Sequence, residues 1–379
     1  MKDFIRIGII GCGQVSRVGH GPAIKSDRRA RIVAIADPDD ANRTSFKGKF
    51  RVSADYRDHR DMLKNEHMDA VVIASPPWLH REQFDHCIDA DLHILCEKPL
   101  ATTVQDCSSM IDAAGRSNRV IQIGHSKRFE HGFQKMKKII GSGTLGDLYQ
   151  MSIYWHYYIP DFRKGWIKNA LDRLKRYGLD LEKKYGTWRY FDTRAGGGDF
   201  FDHAPHYIDL MRFFFGEVES IYCKTRRFIK SRAHEDLATA IFSLSNGMVA
   251  VMEKSTLVLG RPVGFEKGHV YAEKGKIAFE AFQEYTYKPM KLRIYRPINI
   301  IPNVYLPIWI PRGKKNTLYF RQMKHFIDRV VEERDGSRRS GEEVSASVED
   351  AAIAVAWTLA GYRSAEEGCE ILRDEIFSL

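Results

Sequence analysis

Apolar runs in the first third of the chain alternate with longer amphipathic segments. Short runs rich in isoleucine, valine and leucine predict strands at Ile5–Ile10, Ile32–Ala36, Val71–Ala74, His93–Cys96 and Val120–Gly124. The segments at His80–Ala90 and Val104–Ser117 predict helices. Strands that alternate with helices indicate a parallel, doubly wound sheet. The sequence therefore predicts an α/β domain over residues 1–125.

The pattern changes after about Gly124, where apolar and polar residues begin to alternate along short segments. Such alternation predicts half-buried strands at Leu148–Ile159, Val218–Ile229, Leu237–Leu244, Met248–Glu253, Val270–Glu273 and Ile277–Phe282. Asn246-Gly247 is a strong hairpin signal, and Lys274-Gly275 is a weaker one. We expect an α+β domain over residues 126–379 with an open, mostly antiparallel sheet, whose exposed face suits a homo-oligomer, either a dimer or a tetramer.

Helices are predicted for the C-terminal residues 316–379 of this second domain. Leu318–Val331 has apolar residues at helical spacing, and Ser347 with Asp350 resembles a capping box before an alanine-rich helix. Three segments are candidates for flexible loops: a basic insert at about residues 157–195, the proline-rich Arg296–Arg312, and the polar Glu332–Glu343.

Composition is that of an ordinary globular protein, with 44% hydrophobic and 28% charged residues. A chain of 379 residues exceeds the size of one hydrophobic core, which agrees with two domains. No apolar stretch approaches the length of a membrane span, so we expect a cytoplasmic protein that does not bind membranes. The six cysteines have no CxxC spacing, which favours reduced core thiols over disulfides or a zinc site.

The net charge of +10 is concentrated in the basic insert. Residues 162–195 contain ten basic and four acidic residues, a difference of +6. A solvated surface explains such a run, and the alternatives are an anionic substrate, a partner or a membrane surface. No recognised nucleic-acid module accompanies the charge, so we expect no nucleic-acid partner.

The first strand runs directly into a glycine turn, Gly11-Cys12-Gly13-Gln14-Val15-Ser16. Gly11 permits a tight turn, Gly13 lets a pyrophosphate approach the backbone, and Gln14 and Val15 begin a helix whose N–H groups face that anion. Ser16 replaces the third glycine of the dinucleotide fingerprint. Asp37 ends the second strand, 24 residues after Gly13, where the fingerprint requires an acid for the ribose hydroxyls. We therefore predict a Rossmann domain that binds NAD rather than NADP, although the nearby Arg43 opposes that choice of cofactor.

Two more loops follow strands at the edge where such sheets bind ligands. One contains Ser75, Pro76 and His80, and the other is Glu97-Lys98-Pro99. Lys98 is well placed to polarise a substrate oxygen, and the alternative is a surface lysine paired with Glu97. His80 is expected to form hydrogen bonds within the fold rather than to react.

A second chemical motif lies in Gly196–Gly216, which reads GGGDFFDHAPHYIDLMRFFFG. Asp202 and His206 are four residues apart, so they would share one face of a helix. The alternative is that Asp202 is an N-cap, with Pro205 in the first helical turn. A metal site from Asp202, His203, His206 and Asp209 is disfavoured, and we predict no metal.

Together these motifs resemble the Gfo/Idh/MocA family, which includes glucose-fructose oxidoreductase and inositol dehydrogenase. The resemblance rests on the glycine loop with Asp37, on SPPWLH, on EKPLA at Glu97–Ala101, and on the GGGxxxD…H run. It implies that Lys98, His206 and Asp202 are the catalytic residues, with Asp202 as the carboxylate that binds substrate. It also implies cofactor contacts from Gly11, Gly13, Asp37, Ser75, Pro76, His80, Glu97 and Lys98.

The basic insert is longer than a minimal member of that family needs, and it leads directly into the triple glycine. We expect some of its residues to line the substrate pocket, the leading candidates being Lys164, Trp166, Trp188, Arg189 and Arg194.

The reaction expected from this set is oxidation of a secondary hydroxyl on a sugar or cyclitol by NAD, or the reverse reduction. Histidine supplies a base near neutral pH, so His206 would take the hydroxyl proton while Lys98 stabilises the oxygen. One alternative is a redox-neutral glycosidase that oxidises, eliminates and re-reduces its substrate. Another is a non-catalytic NAD-binding regulator.

Overall fold

The computed structural model describes residues 4–161, 165–177, 188–258, 266–281, 290–297, 305–310, 318–337 and 344–377. Two compact units make up the chain. The first consists of Met1–Glu130 with Asn316–Val355, and the second of His131–Lys315 with Ala356–Leu379. Each unit has its own sheet.

The first unit is built on a six-stranded parallel sheet with the order β3-β2-β1-β4-β5-β6. Its strands are β1 Ile5–Ile10, β2 Ala30–Ala36, β3 Ala54–Tyr56, β4 Ala70–Ile73, β5 His93–Cys96 and β6 Ile121–Ile123. The order reverses beside β1, which is the arrangement of doubly wound nucleotide-binding domains. The predicted parallel α/β sheet is confirmed.

The helices of this unit that precede β6 connect successive strands. A helical run follows the glycine loop, with a π-helical turn at Ser16–His20 and an α-helix at Gly21–Ser26. The other helices are Asp40–Phe50, His59–Asn65, His80–Asp89, Val104–Gly115 and Leu318–Arg334. Strand β3 and the two helices that flank it are features that the sequence pattern had not indicated.

The Leu318–Arg334 helix belongs to the first unit, although it follows the second in sequence. Its apolar face, which includes Met323 and Phe326, packs into the core formed by Ile5, Ile7 and neighbouring residues. Residues 316–355 thus lie in the first unit, whereas the sequence pattern had placed all of 316–379 in the second. Apolar spacing predicts that a helix is buried but does not indicate which core it joins.

The predicted capping box is present at the start of the Val348–Glu367 helix. The Asp350 N–H donates to the Ser347 hydroxyl at 3.1 Å, and the Ser347 N–H donates to the Asp350 carboxylate at 3.3 Å. Arg128 also pairs with Asp350 at 3.0 Å, which fastens the start of this helix to the first unit.

The second unit contains a nine-stranded, mostly antiparallel sheet with the order β14-β13-β12-β11-β7-β10-β9-β8-β15. Among the described strands of this sheet, only β7 and β10 pair in parallel. The strands are β7 Leu148–His156, β8 Val218–Arg226, β9 Leu237–Leu244, β10 Val249–Ser255, β11 Glu266–Ala272, β12 Gly275–Ala281, β13 Lys291–Pro297, β14 Tyr305–Ile310 and β15 Ile371–Leu372. The predicted open α+β sheet is confirmed.

The proline-rich Arg296–Arg312 segment is not simply a loop, because it contributes the end of β13 and the whole of β14. Pro307 lies within β14 and is in register with Tyr295 of β13. Proline lacks a backbone N–H, but β14 is an edge strand with one unpaired side, where the loss is tolerated. The prediction of a flexible loop was therefore wrong for the described part of this segment.

The helices of the second unit are His131–Gly141, Gly165–Arg176, Trp188–Phe191, Asp199–Phe215 and Asp374–Phe377. The Asp199–Phe215 helix is buried along nearly its whole length and ends at Gly216, whose φ is 106°. Across the described residues, no helix is long and apolar enough to cross a membrane.

Replacing Phe326 with alanine tests whether the Leu318–Arg334 helix is part of the first core. Phe326 is fully buried, so Phe326→Ala should lower the free energy of unfolding by about 3–5 kcal/mol. Denaturant unfolding measures the change. The control, Phe228→Ala, removes a phenylalanine that is 61% exposed and should change stability little. Equal effects of the two substitutions would contradict this packing.

Candidate active site

The glycine loop of the first unit has the geometry of a phosphate-binding turn. Gly11 has a φ of 92°, and a Cβ at this position would lie 2.6 Å from the carbonyl oxygen of Ala74. No atom lies within 4 Å of the position where a Cβ of Gly13 would be, so the backbone is open there. The hydroxyl of buried Ser16 donates to the Gly11 carbonyl at 2.5 Å. Ser16 thus closes the loop from the position of the third fingerprint glycine.

Asp37 connects the end of β2 to this loop. Its carboxylate accepts hydrogen bonds from the Cys12 N–H at 2.7 Å and from the Asp39 N–H at 2.8 Å. Arg43 donates to the Asp37 carbonyl and pairs with the carboxylates of Asp40 and Asp55. Because two carboxylates already engage this guanidinium, it is poorly disposed to bind a 2′-phosphate. This arrangement favours NAD and removes the objection that Arg43 raised.

His80 fastens the two loops that follow β4 and β5. Its Nε2 lies 2.9 Å from the Ser75 carbonyl oxygen, and its Nδ1 lies 3.0 Å from the Pro99 carbonyl oxygen. Burial lowers the pKa of His80, and a neutral ring donates a hydrogen bond to one of these two carbonyl groups at a time. As expected, His80 has a role within the fold, and that role is to hold the Ser75 and Lys98 loops together.

Glu97 is braced from the other side by His20, which the sequence had not singled out. The His20 Nε2 and the Glu97 carboxylate are 2.8 Å apart, and both side chains are buried. Glu97 also accepts the backbone N–H of Lys98 at 3.2 Å. Lys98 is half-buried, and its peptide bond to Pro99 is cis. His20 follows Ser16 by four residues, so both lie on the same side of the helical run. This spacing is the sequence signal that could have placed His20 near the glycine loop.

In the second unit, the Asp199–Phe215 helix begins three residues before Asp202. Its N-cap is Gly198, and Pro205 is the seventh helical residue. The alternative in which Asp202 is the N-cap and Pro205 lies in the first turn is therefore wrong. Asp202 and His206 lie one turn apart on the same side of this helix. The His206 side chain is buried, and the Asp202 side chain is 18% exposed.

Two basic side chains lie beside the Asp202 carboxylate. The Nε of Arg189 lies 3.3 Å from it, and the Nε2 of His203 lies 3.7 Å from it. The His203 ring lies edge-on to Trp155, with centroids 3.9 Å apart, and its Nδ1 is 2.9 Å from the Asp199 carbonyl oxygen. Asp202 thus lies between a guanidinium and an imidazole.

A buried carboxylate and a tyrosine cap the start of this helix. Glu235 accepts hydrogen bonds from the N–H groups of Gly198 at 3.0 Å and Phe200 at 2.9 Å, and from the Tyr362 hydroxyl at 2.9 Å. The Tyr362 oxygen accepts the Phe201 N–H at 3.1 Å. These two side chains satisfy N–H groups that a helix leaves without partners.

Two residues of the triple glycine are explained by the same cap. A Cβ on Gly197 would lie 2.3 Å from the Tyr362 hydroxyl, and a Cβ on Gly198 would lie 2.4 Å from the Glu235 carbonyl oxygen. Neither position leaves room for a side chain. The glycines therefore allow Glu235 and Tyr362 to reach the helix that carries Asp202 and His206.

A buried ion pair lies at the first residue of the helix. The Lys254 ammonium is 3.7 Å from the Asp199 carboxylate and 3.7 Å from the centre of the Tyr157 ring. Burial lowers the pKa of Lys254 to about 8 and raises that of Asp199. The Tyr157 hydroxyl donates to Asp199 at 3.2 Å. Side chains alternate between the two faces of β10, so Lys254 lies on the same face as buried Ala250 and Met252. This alternation in the sequence could have predicted that Lys254 is buried.

The insert residues proposed for the substrate pocket occupy different positions. Arg189 contacts Asp202, and its guanidinium lies over the Trp188 ring, 4.5 Å from the centroid. Arg194 pairs with Asp192 at 2.7 Å and is 66% exposed. Trp166 is 74% exposed on the Gly165–Arg176 helix. Lys164 lies outside the described residues.

The parallel sheet and the geometry of the glycine loop indicate a dinucleotide-binding protein. The model of the GFO_IDH_MocA oxidoreductase family, described as an NAD-binding Rossmann fold, matches residues 5–125, and that of the GFO/IDH/MocA C-terminal domain matches residues 133–278. The chain belongs to the Gfo/Idh/MocA family. It is an enzyme of the oxidoreductase type, and its cofactor is NAD.

Relatives span the whole chain. Myo-inositol 2-dehydrogenase of Thermotoga maritima is 24% identical over 98% of this chain and 99% of its own length. A levoglucosan dehydrogenase structure with NADH and levoglucosan has a TM-score of 0.78 at 20% identity, covering 98% and 99% of the two chains. The WlbA dehydrogenase of Bordetella pertussis, in complex with NADH and UDP-GlcNAcA, has a TM-score of 0.73 at 22% identity, covering 97% and 98%.

The Glu235 cap has a predictable pH dependence. Burial raises the pKa of Glu235 to about 7 from an ordinary value of 4.5, so the folded state binds the proton more tightly than the unfolded chain. The stability from this group is present below about pH 4.5 and is lost as the pH rises to about 7. Across this pH window, the free energy of unfolding of the wild type should fall by at most about 3 kcal/mol relative to that of Glu235→Gln.

Denaturant unfolding at about pH 5 and about pH 8 measures that difference. Glu366→Gln, which alters an exposed carboxylate four residues after Tyr362, is the matched control. The quantity to compare is the free energy of unfolding of wild type minus that of Glu235→Gln. If this quantity stays constant or rises between the two pH values, burial of Glu235 is not the cause.

Proposed function

We propose that the protein uses NAD to oxidise a secondary hydroxyl of a sugar, sugar derivative or cyclitol, or catalyses the reverse reduction. The single observation that supports this most is the placement of Asp202 and His206 one turn apart on a rigidly capped helix, with the Asp202 carboxylate beside Arg189. Sugar and cyclitol dehydrogenases among the relatives support the substrate class.

NAD, when bound, accepts the hydride from the substrate carbon. The glycine loop with Gly11, Gly13, Gln14 and Val15 would cradle its pyrophosphate, and Asp37 would bind the adenosine ribose. Ser75, Pro76 and Glu97 are proposed to form the remaining cofactor side, with His80 holding their loops in place. The open backbone at Gly13 fits this assignment.

In our proposal, His206 takes the hydroxyl proton as the carbon loses its hydride. Lys98 donates a hydrogen bond to the same oxygen and stabilises the charge that develops on it. Asp202 accepts a hydrogen bond from a neighbouring hydroxyl and so orients the ring. These roles need a base that is neutral near physiological pH, for which histidine is suited.

An anionic substrate is the finer part of the proposal. Arg189 brings a guanidinium to the Asp202 carboxylate and lies over Trp188, so it could bind an anionic group on the same sugar ring that Asp202 orients. The Bordetella pertussis relative, bound to a UDP sugar, offers a precedent for a charged ligand in this fold. We still predict that the substrate pocket is also lined by Lys164, Trp166 and Arg194.

A homo-oligomer, either a dimer or a tetramer, stays a prediction as well. Large apolar side chains are exposed on one face of the nine-stranded sheet, at Ile241, Val249 and Tyr271. Such side chains favour association of this face with another surface.

One assay separates the candidate reactions. Absorbance of NADH is followed with neutral, phosphorylated and uronic sugars, cyclitols and glycosides, and the products are analysed alongside. We expect NADH in proportion to oxidised product, with the best substrate carrying an anion. Aglycone release without net NADH would instead identify the redox-neutral glycosidase, and NAD binding without turnover of any substrate would identify a regulator.

Replacing His206 tests the proposed base. His206→Ala should lower kcat by about 10²- to 10⁴-fold, because the hydroxyl proton loses its acceptor, while NADH binding measured by fluorescence stays near wild type. His269→Ala removes a half-buried histidine on β11 of the same unit and should leave kcat unchanged. Near-normal turnover in His206→Ala would show that another group is the base.

A further inference from the structure

A cluster of metal-ligand side chains lies in the first unit, apart from the residues assigned to the reaction. The donor atoms of His59, Glu82 and His86 all lie within 4.8 Å of one another, the sole such trio found in the described ranges. His59 begins the His59–Asn65 helix, and the other two lie on the His80–Asp89 helix. Glu82 and His86 are four residues apart, so they share one face of their helix.

The two imidazoles already face each other through ring nitrogens. The His59 Nε2 and the His86 Nδ1 are 2.9 Å apart, and the ring planes are inclined by 30° with centroids 5.2 Å apart. Nitrogen ligands of a tetrahedral Zn²⁺ are about 3.3 Å apart, given bonds of about 2.0–2.1 Å. To admit the ion, the two nitrogens would move apart by a few tenths of an ångström and the rings would turn so that both lone pairs point at it.

The other nitrogen of His59 is oriented as it is in many zinc sites. The Asp58 carboxylate lies 3.4 Å from the His59 Nδ1. A carboxylate at this position favours the proton on Nδ1, which leaves the Nε2 lone pair directed towards His86.

Arg60 is the competitor that a metal ion has to displace. Its guanidinium pairs with Glu82 and also reaches Asp58 at 3.4 Å. Arg60 is 58% exposed, and exposed ion pairs contribute little to stability. Arg60 can therefore keep Asp58 as its partner while Glu82 turns to the ion at small cost.

We propose that His59, Glu82 and His86 form a Zn²⁺ site that joins the two helices of the first unit. Two imidazoles and one carboxylate suit zinc, with water as the fourth ligand, whereas Mg²⁺ and Ca²⁺ prefer oxygen ligands. Asp58 is a positioning residue that orients His59. The site lies on elements separate from the substrate-binding helix, so this proposal does not depend on the proposed reaction.

Zinc titration of the full-length, chelator-stripped protein tests the proposal. Cys369→Ser serves as the background, because Cys369 is the exposed thiol among the described residues. By calorimetry, we expect one Zn²⁺ per chain at this site and a rise in Tm, with no comparable effect of Mg²⁺. His59→Gln and His86→Gln should each weaken binding by more than about 100-fold, since each removes a direct ligand.

Two further variants separate ligation from general effects. Asp58→Asn keeps the helix cap, because asparagine also caps well, but should weaken zinc binding by about 10- to 100-fold. His67→Gln removes an exposed histidine of the same unit and should bind zinc like the background.

Metal-free Tm and circular dichroism establish that every variant is folded. The proposal is overturned if His59→Gln and His86→Gln each bind zinc as tightly as the background does. It is also overturned if the background binds zinc no more tightly than a variant that carries both His59→Gln and His86→Gln.

Discussion

The approach of Glu235 and Tyr362 to Gly197 and Gly198 is the constraint on which the second unit's chemistry depends. A buried carboxylate and a phenol supply the acceptors for the first N–H groups of the Asp199–Phe215 helix, and only glycine leaves space for them. Because the helix start is fixed in this way, the positions of Asp202 and His206 are fixed as well. The buried Lys254 and Asp199 pair anchors the same turn through charge.

In the first unit, buried histidines hold the loops that the family resemblance assigns to the cofactor. His80 connects the Ser75 loop to the Pro99 carbonyl, and His20 connects the glycine-loop helix to Glu97. Buried side chains of the same unit thus fix the positions of these loops. Preorganised loops lose little conformational entropy when a ligand binds, which suits a cofactor that must be held in one orientation.

The sequence predicted both sheets because their patterns are local. Alternating strands and helices, the Asn246-Gly247 turn and the Ser347 capping box are encoded within a few residues. It did not predict that the Leu318–Arg334 helix joins the first core, nor that Arg296–Arg312 contains strands, because long-range packing and edge position decide these features. Among site residues, Asp202 and His206 were visible by spacing, whereas Glu235, Tyr362 and Lys254 approach the same helix only through the tertiary fold.

We propose His206 as the proton acceptor in NAD-dependent oxidation, and a pH–rate profile tests this role most directly. With the best substrate and saturating NAD, kcat of the wild type should fall as the pH is lowered, because protonated His206 cannot accept the hydroxyl proton. His206→Gln should be slow and should lack this acid limb. An acid limb that persists unchanged in His206→Gln would contradict the account.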